Sequence, residues 1–181
     1  MRIISGTVKG RKLKAPIGNK IRPTSDRVKE SVFTIIQFDI EGRRVLDLFA
    51  GSGQYGIEAL SRGAKTAVFV DSLSESIKLV KENVQKCGFT DQSSIYARDA
   101  MRFLETDEKY DLIFIDPPYD TPLASSAIEK IVLFDKLNIN GIIICEIKAD
   151  TTSPQVITPY SLEKEYKYGG VKIVKYTRQL I

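Results

Sequence analysis

Asp116-Pro117-Pro118-Tyr119 follows the apolar run Leu112-Ile113-Phe114-Ile115 and so occupies the corner where a buried strand gives way to a loop. The prolines offer no backbone N–H and stiffen that corner. The Asp116 carboxylate and a nearby backbone carbonyl are two acceptors, which suits an amino group carrying two N–H bonds. An exocyclic base amine is a poor nucleophile because its lone pair is delocalised into the ring. Holding both N–H bonds favours a more pyramidal, more nucleophilic nitrogen. Tyr119 adds a ring on which a base can stack, worth about 1–3 kcal/mol. Much of the acceleration would come from holding the reacting atoms in line. The plainer reading of the four residues is an ordinary strand-ending turn.

A second constellation lies upstream. The strand-like Val45-Leu46-Asp47-Leu48-Phe49-Ala50 runs into Gly51-Ser52-Gly53-Gln54-Tyr55-Gly56, which spells GxGxxG. Glycines let backbone approach a ligand closely, and the helix N-terminus that follows offers free N–H groups. Asp71 ends the next apolar run, twenty residues after Gly51, where an acid can accept from ribose hydroxyls. Asp99, beside Ala100 after a third run, can accept from an adenine amine or cap the following helix. Asp47 stands four residues before Gly51. A pyrophosphate at the turn would be repelled by it, whereas a sulfonium and an α-ammonium would be attracted. The three acids therefore fit S-adenosylmethionine better than a dinucleotide, with Asp47 alternatively orienting the turn through backbone N–H groups. Together the two motifs predict methyl transfer to a base amine.

The elements that must position these residues alternate in type. Strand-like runs cover Arg44–Leu48, Thr66–Asp71, Ser94–Arg98, Leu112–Asp116 and Gly141–Ile147, with helical patterns near 54–62, 73–87, 99–105 and 121–134. Such alternation favours βαβ units around a parallel sheet. Near the C-terminus, Gly169-Gly170 joins two strand-like runs and reads as a hairpin. Residues 2–15, punctuated by Gly6 and Gly10, predict a short N-terminal hairpin. Thr24 or Ser25 would cap a helix over about 25–38 with Val28, Val32, Ile35 and Ile36 as its stripe. The expected architecture is α/β, with a mostly parallel seven-stranded sheet. One domain is expected, residues 1–41 a basic extension and 42–181 the catalytic core.

Composition narrows the chemistry. The chain has 181 residues and no histidine, which removes imidazole bases, Ser-His and Cys-His schemes and histidine metal sites. Cys87 and Cys145 stand far apart, so neither a zinc site nor a disulfide framework is expected. No run approaches the roughly 20 apolar residues of a membrane span, and no signal sequence is evident, so a cytoplasmic setting is expected. Residues 1–30 hold nine Lys/Arg against two acids, a net +7, which leaves −3 of the overall +4 for the rest. Arg2, Lys9, Arg11, Lys12, Lys14, Arg22 and Arg27 are thus candidates to grip a nucleic acid, the alternative being a solvated segment.

The resemblance is to a defined family. Met1-Arg2-Ile3-Ile4-Ser5-Gly6, Gly10-Arg11-Lys12-Leu13 and Arg22-Pro23-Thr24-Ser25-Asp26-Arg27-Val28-Lys29-Glu30-Ser31-Val32-Phe33 resemble the RsmD family. So do Asp47-Leu48-Phe49-Ala50-Gly51-Ser52-Gly53 and Glu58-Ala59-Leu60-Ser61-Arg62-Gly63-Ala64. The resemblance covers essentially the whole chain. It implies a Rossmann-like methyltransferase that uses S-adenosylmethionine; a monomer without metal is expected. The implied substrate is the N2 amine of one guanine in 16S ribosomal RNA of the small subunit. It makes Asp116, Pro117, Pro118 and Tyr119 the amine-holding corner. Asp47, Phe49, Gly51, Ser52, Gly53, Asp71, Asp99 and Ala100 become cofactor contacts, and Arg22 and Thr24 stand at the cofactor–substrate border. The family often carries Ala-Leu where Gln54-Tyr55 stand here. Size agrees with a pre-folded RNA substrate, since there is little room for a domain that reads and unpairs duplex DNA. From the motif alone, adenine-N6 methylation of DNA, a nicotinamide oxidoreductase and a non-catalytic RNA-binding or ribosome-assembly factor remain open.

Overall fold

The computed structural model describes residues 1–16 and 26–180. Helix α1 (Asp26–Ile35) is followed by β1 (Arg44–Asp47), α2 (Gln54–Ser61), β2 (Thr66–Asp71), α3 (Ser74–Cys87) and β3 (Ser93–Ala97). Then come α4 (Ala100–Phe103), β4 (Tyr110–Ile115), α5 (Leu123–Leu133), β5 (Leu137–Lys148), β6 (Tyr160–Tyr168) and β7 (Val171–Arg178). The seven strands form one sheet in the order β3-β2-β1-β4-β5-β7-β6. The first five run parallel, and β7 is inserted antiparallel between β5 and β6. The order reverses between β1 and β4, so a crevice opens at their carboxyl ends, where ligands bind in open α/β sheets. Both motifs leave the sheet there.

The central strands are apolar at nearly every position because both faces are covered. Val45, Leu112, Phe114, Ile142 and Ile144 pack on one side with α1, α2 and α3. Leu46, Ile113, Ile115, Ile143 and Cys145 pack on the other with α4 and α5. Helix α3 shows how the sequence sets an element's end. Ile77, Val80, Val84 and Cys87 form its buried stripe, and Gly88 stops it in the left-handed region at φ 78°. The N–H groups of Gly88 and Phe89 then return to the carbonyls of Gln85 and Val84, a Schellman close. The edge strand β6 carries Glu163, Lys164, Glu165 and Lys167 on its exposed stretch, and its pairing with β7 shifts by one residue between Leu162 and Lys164.

The N-terminus forms a short, irregular hairpin. Arg2 and Lys12 make an antiparallel bridge, Ile3 N–H donates to the Arg11 carbonyl at 2.9 Å and Leu13 N–H to the Met1 carbonyl at 3.2 Å, and Gly6 and Gly10 bend the loop between them at positive φ. The loop also pairs with the end of α2. Thr7 donates to the Ser61 carbonyl at 2.8 Å, and the Ser61 hydroxyl donates to the Ser5 carbonyl at 2.6 Å. A Cβ on Gly6 would fall 1.8 Å from the Ser61 carbonyl oxygen, so only glycine fits. Glu58 of α2, fully buried, accepts from the N–H groups of Ile4 and Ser5 at 2.8 and 3.0 Å and pairs with Arg62 and Lys29. Lys29 is sealed at this junction, donating to the Arg2 carbonyl at 2.5 Å, and desolvation lowers its pKa. One of the nine basic residues of the segment is therefore structural. Ile3, Leu13, Val28, Val32, Phe33 and Ile36 share the core of the sheet's first face, so the extension is not a detached arm. Among the described residues no helix is long and apolar enough to cross a membrane.

Candidate active site

The three glycines after β1 have three different tasks. Gly51 sits at φ 55°, and a Cβ built on it would meet open space, so the backbone there is free to be approached. Gly53 begins α2 at φ 80°, a conformation that disfavours side chains. A Cβ on Gly56 would lie 2.3 Å from the Phe69 ring, so this glycine lets α2 sit directly on β2.

The acids around the turn hold backbone. Asp47 is 2% exposed and accepts from the Gly56 N–H at 3.0 Å; burial pushes its pKa up to about 7. It lies beneath the turn and does not border the cavity described below, which is the orienting arrangement. Asp71 accepts from Gly51 N–H with one oxygen and from Leu73 N–H with the other, both at 2.9 Å. Asp99 caps α4 by accepting from Arg102 N–H at 3.0 Å. Asp71 and Asp99 both border the cavity, and each carboxylate oxygen keeps a second acceptor position.

The cavity occupies about 330 Å³ at the carboxyl ends of β1 and β4. Phe49, Gly51 and Ser52 border it on one side, with Ala100 beside Asp99, and Asp116 to Tyr119 on the other. Gly53 is set back from it. Because Ile115 of β4 is in register with Cys145 of β5, Asp116 comes alongside Glu146 on the neighbouring strand. Glu146 also borders the cavity, although it is only 4% exposed. Tyr119 donates its hydroxyl to Glu146 Oε1 at 2.6 Å, and Tyr55 donates to Oε2 at 3.0 Å. Tyr55 in turn stacks on Phe114 with ring centroids 4.9 Å apart and planes 17° from parallel. The corner is closed by Thr121, whose hydroxyl donates to the Pro118 carbonyl at 2.7 Å, and by the Lys148–Asp120 ion pair.

Two buried polar atoms at this cavity, Gln54 Oε1 and Ser76 Oγ, have no hydrogen-bond partner among the described residues. Such atoms cost free energy unless a ligand or water meets them. Asn83 ties the glycine turn to the N-terminal segment. Its Nδ2 donates to the carbonyls of Ser52 and Lys14 at 2.9 and 3.0 Å, and its Oδ1 accepts from Lys14 N–H at 2.8 Å.

Of the proposed nucleic-acid contacts, Arg2, Lys9, Arg11, Lys12, Lys14 and Arg27 are exposed. Lys14 pairs with Glu82 at 2.8 Å, and Arg11 donates to the Lys86 carbonyl at 2.6 Å. Arg22, Thr24 and the expected cap at Thr24 or Ser25 lie outside the described residues. Among the described residues no cluster of acids or cysteines could hold a metal.

Glu146 and Asn83 were not among the candidates read from the sequence. Glu146 had a usable signal, a lone acid inside Ile142-Ile143-Ile144-Cys145-Glu146-Ile147. An ionisable group in a strand buried on both faces must have partners or a purpose.

The family model for Conserved hypothetical protein 95 matches residues 1–177. The chain is similar to YlbH of Bacillus subtilis, 40% identical over 181 residues that span 97% of this chain and 98% of the relative. It is similar to ribosomal RNA small subunit methyltransferase D of Haemophilus influenzae, 36% identical over 178 residues, 94% of this chain and 90% of the relative. The solved structure of Escherichia coli yhhF matches with a TM-score of 0.90 and 30% identity, covering 99% of this chain and 98% of that one.

Proposed function

The chain belongs to the Conserved hypothetical protein 95 family, the RsmD family that its motifs resemble, and from that premise we propose that this Rossmann-like methyltransferase acts on the N2 amine of a guanine in 16S ribosomal RNA of the small subunit. The observation that carries the reading is that the glycine turn and the Asp116-Pro117-Pro118-Tyr119 corner border one cavity. A methyl donor on one side and a base on the other would meet there.

S-adenosylmethionine supplies a methyl group on a sulfonium, an electrophile that no side chain can provide. The residues present fit it. Gln54 Oε1 and Ser76 Oγ await a polar partner, and Gly51 leaves its backbone open. Asp71 would take ribose hydroxyls and Asp99 an adenine amine, each while keeping its present backbone bond. Asp47 would act from beneath, by fixing the start of α2.

On the substrate side, Asp116 accepts an N–H of the amine and keeps the nitrogen lone pair aimed across the cavity. Tyr119 stacks on the base, its ring held at the hydroxyl by Glu146. The stiff prolines keep acceptor and ring at a fixed separation. The exposed cations of residues 2–14 and Arg27 would hold phosphates of a pre-folded RNA in the cytoplasm.

The test is methyl incorporation from labelled cofactor into small subunits lacking the modification, compared with naked 16S RNA and duplex DNA, followed by nucleoside analysis. N2-methylguanosine in the subunits is the expected product; N6-methyladenosine in DNA would replace this reading. Asp116→Ala is expected to lower kcat by at least about 100-fold while cofactor affinity stays within a factor of about three. Full activity in that variant would remove Asp116 from its role.

A further inference from the structure

We propose that Glu146 is a specificity-determining residue, which accepts the ring N1–H of guanine next to the amine held by Asp116. The inference rests on the proposed guanine reading and adds what selects the base. Its basis is the register of two parallel strands. Ile115 and Cys145 are partners, so the following residues, Asp116 just past the end of β4 and Glu146 within β5, come next in that register, and both border the cavity. In a parallel pair, residues in register share a face, and Phe114 and Ile144 just before them already do.

When both are ionised, two neighbouring carboxylates form an acceptor-only wall. Guanine presents two adjacent donors on its Watson–Crick edge, the N2 amine and N1–H, which such a wall matches. Adenine presents an amine beside N1, which is an acceptor and would face a carboxylate lone pair. The paired acids therefore favour one purine and repel the other, whereas Asp116 alone reads only an amine.

Glu146 is also held as a specificity group must be. Tyr119 and Tyr55 donate to its two oxygens, one tyrosine from the corner and the other from the helix after the glycine turn. They fix the carboxylate plane at the cavity wall. A site built around a hydrogen bond rejects the analogue lacking it far more strongly than an apolar pocket rejects a shape change.

The experiment uses 2-aminopurine, which keeps the C2 amine but has an unprotonated N1. Small subunits assembled on 16S RNA carrying guanine or 2-aminopurine at the mapped target are methylated by the full chain and by Glu146→Gln. For the unaltered chain, kcat/KM is expected to be at least about 100-fold higher for guanine. For Glu146→Gln, whose amide can donate to an unprotonated N1, the ratio is expected to fall within about tenfold. Should the amide variant not fold, Glu146→Asp withdraws the carboxylate by one carbon and is expected to shrink the ratio likewise. A ratio within tenfold for the unaltered chain overturns the proposal, and so does an unchanged ratio in the folded variant. If the guanine-bearing subunits yield no N2-methylguanosine at all, the reading of the function fails and takes this proposal with it.

Discussion

Glu58 and Glu146 are both glutamates inside the same molecule, and their surroundings differ completely. Glu58 is turned away from the cavity and enclosed by Lys29, Arg62 and two backbone N–H groups. Its partners all belong to the seam between the N-terminal segment and α2, and its role ends there. Glu146 is held by two tyrosine hydroxyls from opposite sides of the cavity and stands beside Asp116 at its wall. Burial of a charge by itself distinguishes neither. What separates them is whether the partners belong to a closed junction or to groups that also face a ligand.

The largest effect that would sharpen the contrast is on folding. Glu58→Ala strands Lys29 and two backbone donors inside the protein, and an unfolding titration is expected to show a loss of about 3–5 kcal/mol. A loss below about 1 kcal/mol would mean that the seam is not closed. Asp47 is a third buried acid, and its effect should be visible in pH. Its folded pKa, about 7, lies above the ordinary carboxylate value of 3.8, so burial opposes the ionised form. The fold therefore loses stability from this group as pH rises from about 4 to about 7, the reverse of a salt-bridged carboxylate. Asp47→Asn keeps an acceptor for Gly56 N–H and is expected to flatten that decline, by on the order of 4 kcal/mol across the window.

Gly56→Ala pushes a methyl against Phe69 and is expected to cost about 1–3 kcal/mol, read as a lowered midpoint in thermal unfolding. Glu146→Gln retains an oxygen for one tyrosine, so the same measurement should move by about 1 kcal/mol or less. That small shift beside a changed base preference is the pattern opposite to Glu58. Smallest of all, Lys12→Ala should leave folding unchanged and reduce the slope of log RNA affinity against log salt by about 1.

The fold was legible where information is local. The strands β1 to β4 end within two residues of expectation because runs such as Val68-Phe69-Val70 need only be apolar to be buried on both faces. Expected β5 began late, at Gly141 instead of Leu137, because Asn140 adopts φ 61° and a bulge opposite Asp111 interrupts the regular pattern there. The N-terminal hairpin keeps backbone bonds from Ile3, Gly10 and Leu13 across it but stays short and irregular, because the N–H groups of Ile4, Ser5 and Thr7 go to Glu58 and Ser61, more than fifty residues away. The same distinction holds at the site. The glycine turn and the Asp116 corner are contiguous motifs and could be read directly. Glu146 acquires its meaning only through the pairing of β4 with β5, and Asn83 only through α3 packing on the turn, neither of which any spacing reveals.

One consequence follows from the far margin of the sheet. At β6 the run Glu163-Lys164-Glu165 coincides with the slipped pairing to β7. A second molecule approaching that rim would have to desolvate alternating charges and match a ladder that is out of step. Open strand edges are templates for aggregation, and charges and bulges are what blunt them. The β6 rim is thus poorly suited to recruit another copy by strand pairing, and of the sheet's two edges it is β3 that lies on the side of the glycine turn.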